Sequence, residues 1–192
     1  MQSRNLTIAV SLTVVAIAAP AHAQAVDPAA RIAAYNDGIV AIMKAKLALG
    51  QRRDRFEALV REYYDMPVIA QLVVGPQWAG SGPADRASAV AALTRHSAVN
   101  LARNFVSYGG EKFVVDARTV DRGASRIVKV RIGGDTLLYV MRKGVAGWKI
   151  VDVVAQGVSQ VAVQRSDVAA SVAAEGVGGL AKRLAKLEAT AR

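Results

Sequence analysis

The sequence predicts an α+β domain: N-terminal helices, a four-stranded antiparallel meander, then C-terminal helices. Three observations carry this reading. Apolar residues recur at helical spacing as far as Gly109-Gly110. Residues 125–132 then alternate cleanly, and Gly133-Gly134 after them is a two-residue hairpin signal. From Ser159 onward helical spacing returns. A sheet wrapped by helices can leave a concavity between its layers, which is either filled by side chains or occupied by a ligand.

The first helix starts at Asp27-Pro28, with Asp27 as N-cap and Pro28 in the first turn. Ile32, Tyr35, Ile39, Ile42 and Met43 keep helical spacing, and the helix is expected to run to about Leu49, with Gly50 as its stop. Asp54 is the expected cap of a second helix, with Phe56, Leu59, Val60 and Tyr63 on one side. Tyr64-Asp65-Met66-Pro67 leads into a short third helix carrying Val68, Ile69, Leu72 and Val73; Gly75-Pro76 ends it and Trp78 follows in a loop. Ser81-Gly82-Pro83 opens a long helix to about Tyr108, with Val90, Leu93, Ser97, Leu101 and Phe105 along one face.

The β-region has four expected strands. Residues 112–118 alternate weakly. In 125–132, Val128, Val130 and Ile132 share one face and Lys129 and Arg131 the other. The returning strand, 135–142, is apolar on both faces, Leu138 and Val140 on one and Leu137, Tyr139 and Met141 on the other. Such a strand is expected to be covered on both sides. After a turn at 143–147, residues 148–155 form the fourth strand. A helix then runs from Ser159 to Gly176, and a last one places Val177, Leu180, Ala181, Leu184 and Leu187 on one face.

Residues 1–23 read as an address. Arg4 precedes an apolar run from Leu6 to Ala19, and Pro20-Ala21-His22-Ala23 supplies a small-x-small cleavage site. The run is short for a membrane span, which needs about 20 residues. The expectation is a periplasmic protein made of one domain, 24–192, helical over 27–108, sheet over 112–155 and helical over 159–188. Removing Arg4 lowers the formal net charge from +10 to +9. In an exported protein such a basic balance points away from nucleic acid. It suits anionic lipid headgroups, an acidic partner or an anionic envelope polymer, or simply a solvated basic surface.

Composition removes several chemistries. With 53% hydrophobic and 21% charged residues the chain is not disordered. The lack of cysteine excludes disulfides, a thiol nucleophile and thiolate metal sites. Of two histidines, only His96 lies in the expected mature chain, mid-helix. Ser159, in Gly157-Val158-Ser159-Gln160-Val161, lacks the second glycine of a nucleophile elbow and reads as a helix cap. Tyr139 with Asp152 is the one pair that fits a ketosteroid-isomerase-like pocket. Asp152 is also a charge within an apolar strand. Alternation puts it on the face of Trp148 and Ile150, and Arg165 is its expected ion-pair partner.

At this strand a pattern emerges. Gly147-Trp148-Lys149-Ile150-Val151-Asp152-Val153, Gly157-Val158-Ser159, Arg165, Gly176 and Gly179-Leu180 with Leu184 resemble the C-terminal signature of the MlaC/toluene-tolerance family, periplasmic lipid-carrying components of ABC transport systems. Phe56-x-x-Leu59-Val60, Tyr63-Tyr64-Asp65, Asp65-Met66-Pro67-Val68-Ile69-Ala70, Gly75 with Trp78, and Asn104-Phe105-Val106-Ser107-Tyr108 are similar to earlier family segments. Gln160-Val161-Ala162-Val163 departs from the family's Leu-rich stretch.

The resemblance implies an MlaC-like fold whose apolar cavity, between sheet and helices, holds phospholipid acyl chains. Val128, Val130, Leu138, Val140, Val151 and Val153 would floor it, and Ile69, Leu72, Val73, Trp78, Leu93 and Leu101 would wall it. It implies no enzyme activity, metal or cofactor beyond bound phospholipid. The implied partners are an inner-membrane MCE/ABC transporter and an outer-membrane lipoprotein/porin complex, with no nucleic acid. A hopanoid-associated carrier and an envelope interaction protein with a filled core remain as alternatives.

Overall fold

The structure, a computed structural model, describes residues 27–190. The expected export signal, 1–23, lies outside the described residues. The order is α1 (Pro28–Lys44), α2 (Leu49–Tyr63), α3 (Met66–Val74), a 3₁₀ turn (Gly75–Trp78) and α4 (Pro83–Asn104). Then come β1 (Phe113–Val115), β2 (Val120–Arg122), β3 (Ser125–Ile132), β4 (Asp135–Gly144), β5 (Gly147–Ala155), β6 (Val158–Ser159), α5 (Gln160–Glu175) and α6 (Val177–Thr190). This is the helices–sheet–helices α+β fold that the sequence predicts, with six strands instead of four.

Local chemistry explains most boundaries. The Asp27 carboxylate accepts from the Ala29 and Ala30 amides, so α1 starts where expected. It ends early, because Lys46 takes a left-handed conformation (φ 49°). Gly50 then lies inside α2, which begins with no side-chain cap, and Asp54 instead takes a hydrogen bond from Arg53. Gly38 sits where α1 crosses α2: a Cβ there would meet the tip of Leu59, Cδ1 at 2.6 Å, and make that side chain turn aside. Asp65 caps α3 through the Val68 amide at 3.3 Å. The long helix α4 stops at Asn104, four residues before Tyr108.

The sheet is antiparallel in the order β1-β3-β4-β5-β6, with β2 also paired to β3. The two unexpected strands, β2 and β6, have three and two residues, too few for an alternation signal. Val128 faces Tyr139, which faces Val153; Val130 faces Leu137, which faces Ala155. Cross-strand partners share a face. The inner face therefore carries Val128, Val130, Leu137, Tyr139 and Val153. Ile127 with Val140, and Lys129 with Leu138 and Val154, point the other way.

Two apolar cores meet in the molecule. One joins Ile32, Tyr35 and Ile39 of α1, Phe56 of α2, Ala98 and Ala102 of α4, and the inner sheet face. The other joins Ile69 and Val73 of α3, Leu93 of α4, Val168 and Val172 of α5, and Leu180 and Leu184 of α6. Tyr64 and Leu101 pack against both cores and mark the seam. Arg52, buried, fastens the back of the helical layer, donating to the carbonyls of Ala102 and Leu47 at 2.7 and 2.9 Å.

Candidate functional site

A cavity of about 270 Å³ lies along this seam. Its floor is the inner sheet face, through Leu137, Tyr139, Val153 and Ala155. Tyr35 of α1, Tyr64 and Ile69 close one side. The α4 face carrying Ser97 and Leu101, with Phe105 just past the end of the helix, forms another, and Gln160, Val161 and Gln164 of α5 complete it. The lining is mainly apolar and aromatic. No Lys or Arg is part of it.

Three tyrosines build the deep wall. The Tyr35 and Tyr64 hydroxyls share a hydrogen bond of 2.9 Å. The Tyr35 ring meets those of Tyr64 and Tyr139 edge-on, with centroids 5.7 and 5.9 Å away. Burial pushes the Tyr64 phenol up to about 12; the Tyr35 hydrogen bond opposes this and the Asp152 charge adds to it. Burial likewise raises Tyr35 and Tyr139 well above the ordinary tyrosine value, the neighbouring phenols adding. At neutral pH all three stay uncharged, so the wall presents ring faces and neutral hydroxyls.

Apart from the Asp152 carboxylate, the polar lining is neutral. Ser97, Asn100 and Asn104 follow one another at helical spacing on α4, and Gln160 and Gln164 do so on α5. Asn100 Nδ2 contacts His96 Nε2 at 3.0 Å. Gln164 Oε1 is buried and has no partner in the structure. These neutral groups can hydrogen-bond a polar ligand part without imposing a charge on it.

Asp152 corrects two expectations. A bulge separates Val140, opposite Asp152, from Met141, opposite Ile150. Asp152 therefore does not share a face with Ile150. Its carboxylate accepts from Ser159 Oγ at 2.6 Å, the Val153 amide at 2.8 Å and the Val161 amide at 3.1 Å. Ser159 Oγ in turn accepts from the Ala162 amide at 3.0 Å. The half-buried charge is thus satisfied by the N-terminus of α5, where unpaired amides and the helix dipole favour an anion. The expected ion pair with Arg165 does not form. That guanidinium packs over Gly75, where a Cβ would come within 2.9 Å of Nη2. The structure does bring Asp152 and Tyr139 to one cavity, but the carboxylate is engaged in holding α5.

Of the other expected cavity residues, Ile69, Leu101 and Val153 line it. Val73 and Leu93 are buried in the second core, and Trp78 packs against that core beneath Arg86. Val128 and Val130 are buried in the first core and Val151 is buried as well, while Leu72 is exposed. Leu138 and Val140 lie on the outer face, on the far side of β4 from the cavity. Tyr35, Tyr64, Phe105 and the amides line the cavity without being expected from the sequence, where the polar stripe Ser97-Asn100-Asn104 beside Leu101 is their signal.

The comparisons agree with this architecture. The family model described as MlaC protein matches residues 34–186. Among solved structures, the chain is similar to the phospholipid-binding protein from Ralstonia solanacearum in complex with a phospholipid. The TM-score is 0.68 at 21% identity, covering 85% of this chain and 98% of that one. At that identity the likeness is one of fold. No curated protein matches the chain.

Proposed function

The chain belongs to the MlaC protein family, and from that premise we propose that it is a lipid-binding carrier of the periplasm. The observation that carries the reading is the seam cavity, with an apolar floor, tyrosine wall and neutral amide rim. Each acyl methylene moved from water into such a lining gains about 0.8 kcal/mol. Two chains therefore bind strongly with no cationic headgroup clamp, in keeping with a lining that holds no Lys or Arg. The phospholipid-bound fold relative supports the same ligand class.

The volume adds a mechanical requirement. About 270 Å³ is just below the roughly 300–1,000 Å³ of small-molecule sites. A diacyl lipid therefore enters by parting α4 and α5 along the seam. Tyr64 and Leu101, which pack against both cores, are the residues this opening displaces first, and Leu93 of α4 then draws away from Val168 and Val172 of α5. In this reading the protein is no enzyme. It exchanges phospholipid between an outer-membrane complex and an inner-membrane MCE/ABC transporter.

Native mass spectrometry of the purified protein, followed by lipid analysis of its organic extract, tests the proposal. The expected result is one diacyl phospholipid per chain. A hopanoid in the extract would reassign the cargo. A ligand-free mass, unchanged after incubation with phospholipid vesicles, would refute the carrier.

A further inference from the structure

The sheet has a second face, and no described helix covers it. At its centre Ile127, Leu138, Val140 and Val154 are only partly buried, and none of them joins either apolar core. At its edges Val114 and Val120, register partners of Arg131 and Ile127, are 44% and 55% exposed. A strand apolar on both sides predicts cover on both sides; here the cover is missing from one.

On this face the cations stand without counter-charges, whereas the helical side mixes paired and unpaired ones. On the helical side, Arg31, Arg53, Arg61 and Lys182 pair with Glu62, Asp54, Glu57 and Glu175. Lys129, Arg131 and Arg142 are exposed around the aliphatic centre, and none has an ion-pair partner among the described residues. Asp116, which continues the β1 ladder opposite Lys129, turns its carboxylate to the Arg118 amide instead. Arg126, the remaining β3 cation, sits over Trp148 and takes Asp121.

We propose that this face docks the protein on an anionic phospholipid bilayer. Unpaired cations around a flat aliphatic patch complement a negatively charged headgroup layer over hydrocarbon. The register places no aromatic residue on the face to anchor a protein partner, as interface hot spots usually require. The cavity lies on the opposite side of the sheet, so a docked molecule keeps its cavity clear of the surface it rests on. The inference stands apart from the carrier reading, because it uses none of the cavity residues.

Vesicle flotation tests it, with phosphatidylcholine alone and with about 30 mol% phosphatidylglycerol added. The protein is expected on the anionic vesicles only, and to leave them at high salt. Lys129→Gln/Arg131→Gln/Arg142→Gln is expected to lower partitioning roughly a hundredfold. The same change on α2, Arg53→Gln/Arg55→Gln/Arg61→Gln, is expected to lower it less than about threefold, these residues lying away from the docked face. Both variants should retain the parent's thermal transition and bound lipid. Equal loss in the two variants would reduce the effect to net charge and overturn the proposal. Absence of binding to anionic vesicles would overturn it too, and leave an acidic protein as the occupant to seek.

Discussion

Asp152 acts as a second cap for α5, reaching it from a neighbouring strand. Ser159→Ala should cost about 1 kcal/mol in urea denaturation, the usual value of a cap. Asp152→Ala removes three charge-assisted bonds and should cost about 2–3 kcal/mol. Arg165→Ala should cost less than about 0.5 kcal/mol, as an exposed side chain outside any ion pair does. Equal losses for Asp152→Ala and Arg165→Ala would restore the ion pair. The caps at Asp27 and Ser159 were legible because capping is local, each bonding an amide two or three residues on; Asp54, also expected to cap a helix, lies inside α2 instead. The bulge beside Asp152 was not, since a register shift is decided by β4, a dozen residues away.

His96 carries the pH dependence at this scale. Burial between α4 and α6 lowers its pKa below the ordinary 6.5, more than Glu188, 3.7 Å away, raises it. The fold therefore favours the neutral ring. Its contribution is intact above the unfolded value of 6.5 and is lost as pH falls through the lower folded value. The urea midpoint should drop between about pH 7 and pH 5. His96→Gln should flatten that slope; an unchanged slope would place the titration elsewhere.

Among elements, the α5–α6 corner is the tightest. A Cβ on Gly179 would lie 2.6 Å from the Ser171 carbonyl oxygen and 2.7 Å from Glu175 Cβ. Backbone cannot swing aside as a side-chain tip can, so Gly179→Ala should cost about 2 kcal/mol or more. Gly50 has nothing within 4 Å and an ordinary helical backbone. Gly50→Ala should stabilise by about 0.5 kcal/mol. Thermal denaturation of the pair checks both signs, and stabilisation by Gly179→Ala would contradict the packing. The same contrast shows what glycine can say in a sequence. Gly50 read as a helix stop because its residue type suggests one, whereas the turn uses Lys46. The β3–β4 hairpin was plain because alternation and a Gly-Gly turn agree; β2 and β6 were too short to have a period.

For the whole molecule, the decisive feature is a seam between two cores, with one face of the sheet turned into it and the other left open. The sequence located the layers but not the seam. Ile69, Leu101 and Val153 reach the cavity, while Val128, Val130 and Leu93, equally apolar and equally periodic, are consumed in the cores. Hydrophobicity decides burial; only tertiary contact decides which buried residue faces a void. Leu138 and Val140 went to the outer face for a related reason: alternation separates two faces without saying which one the helices cover.

The most direct measurement loads the protein with a phospholipid carrying a photoreactive diazirine at an acyl terminus and maps the adducts by peptide mass spectrometry. The account predicts adducts on the seam, at Ile69, Leu101, Phe105, Leu137, Tyr139 and Val153. Adducts confined to Ile127, Leu138, Val140 and Val154 on the outer face, or none above an unloaded control, would contradict it.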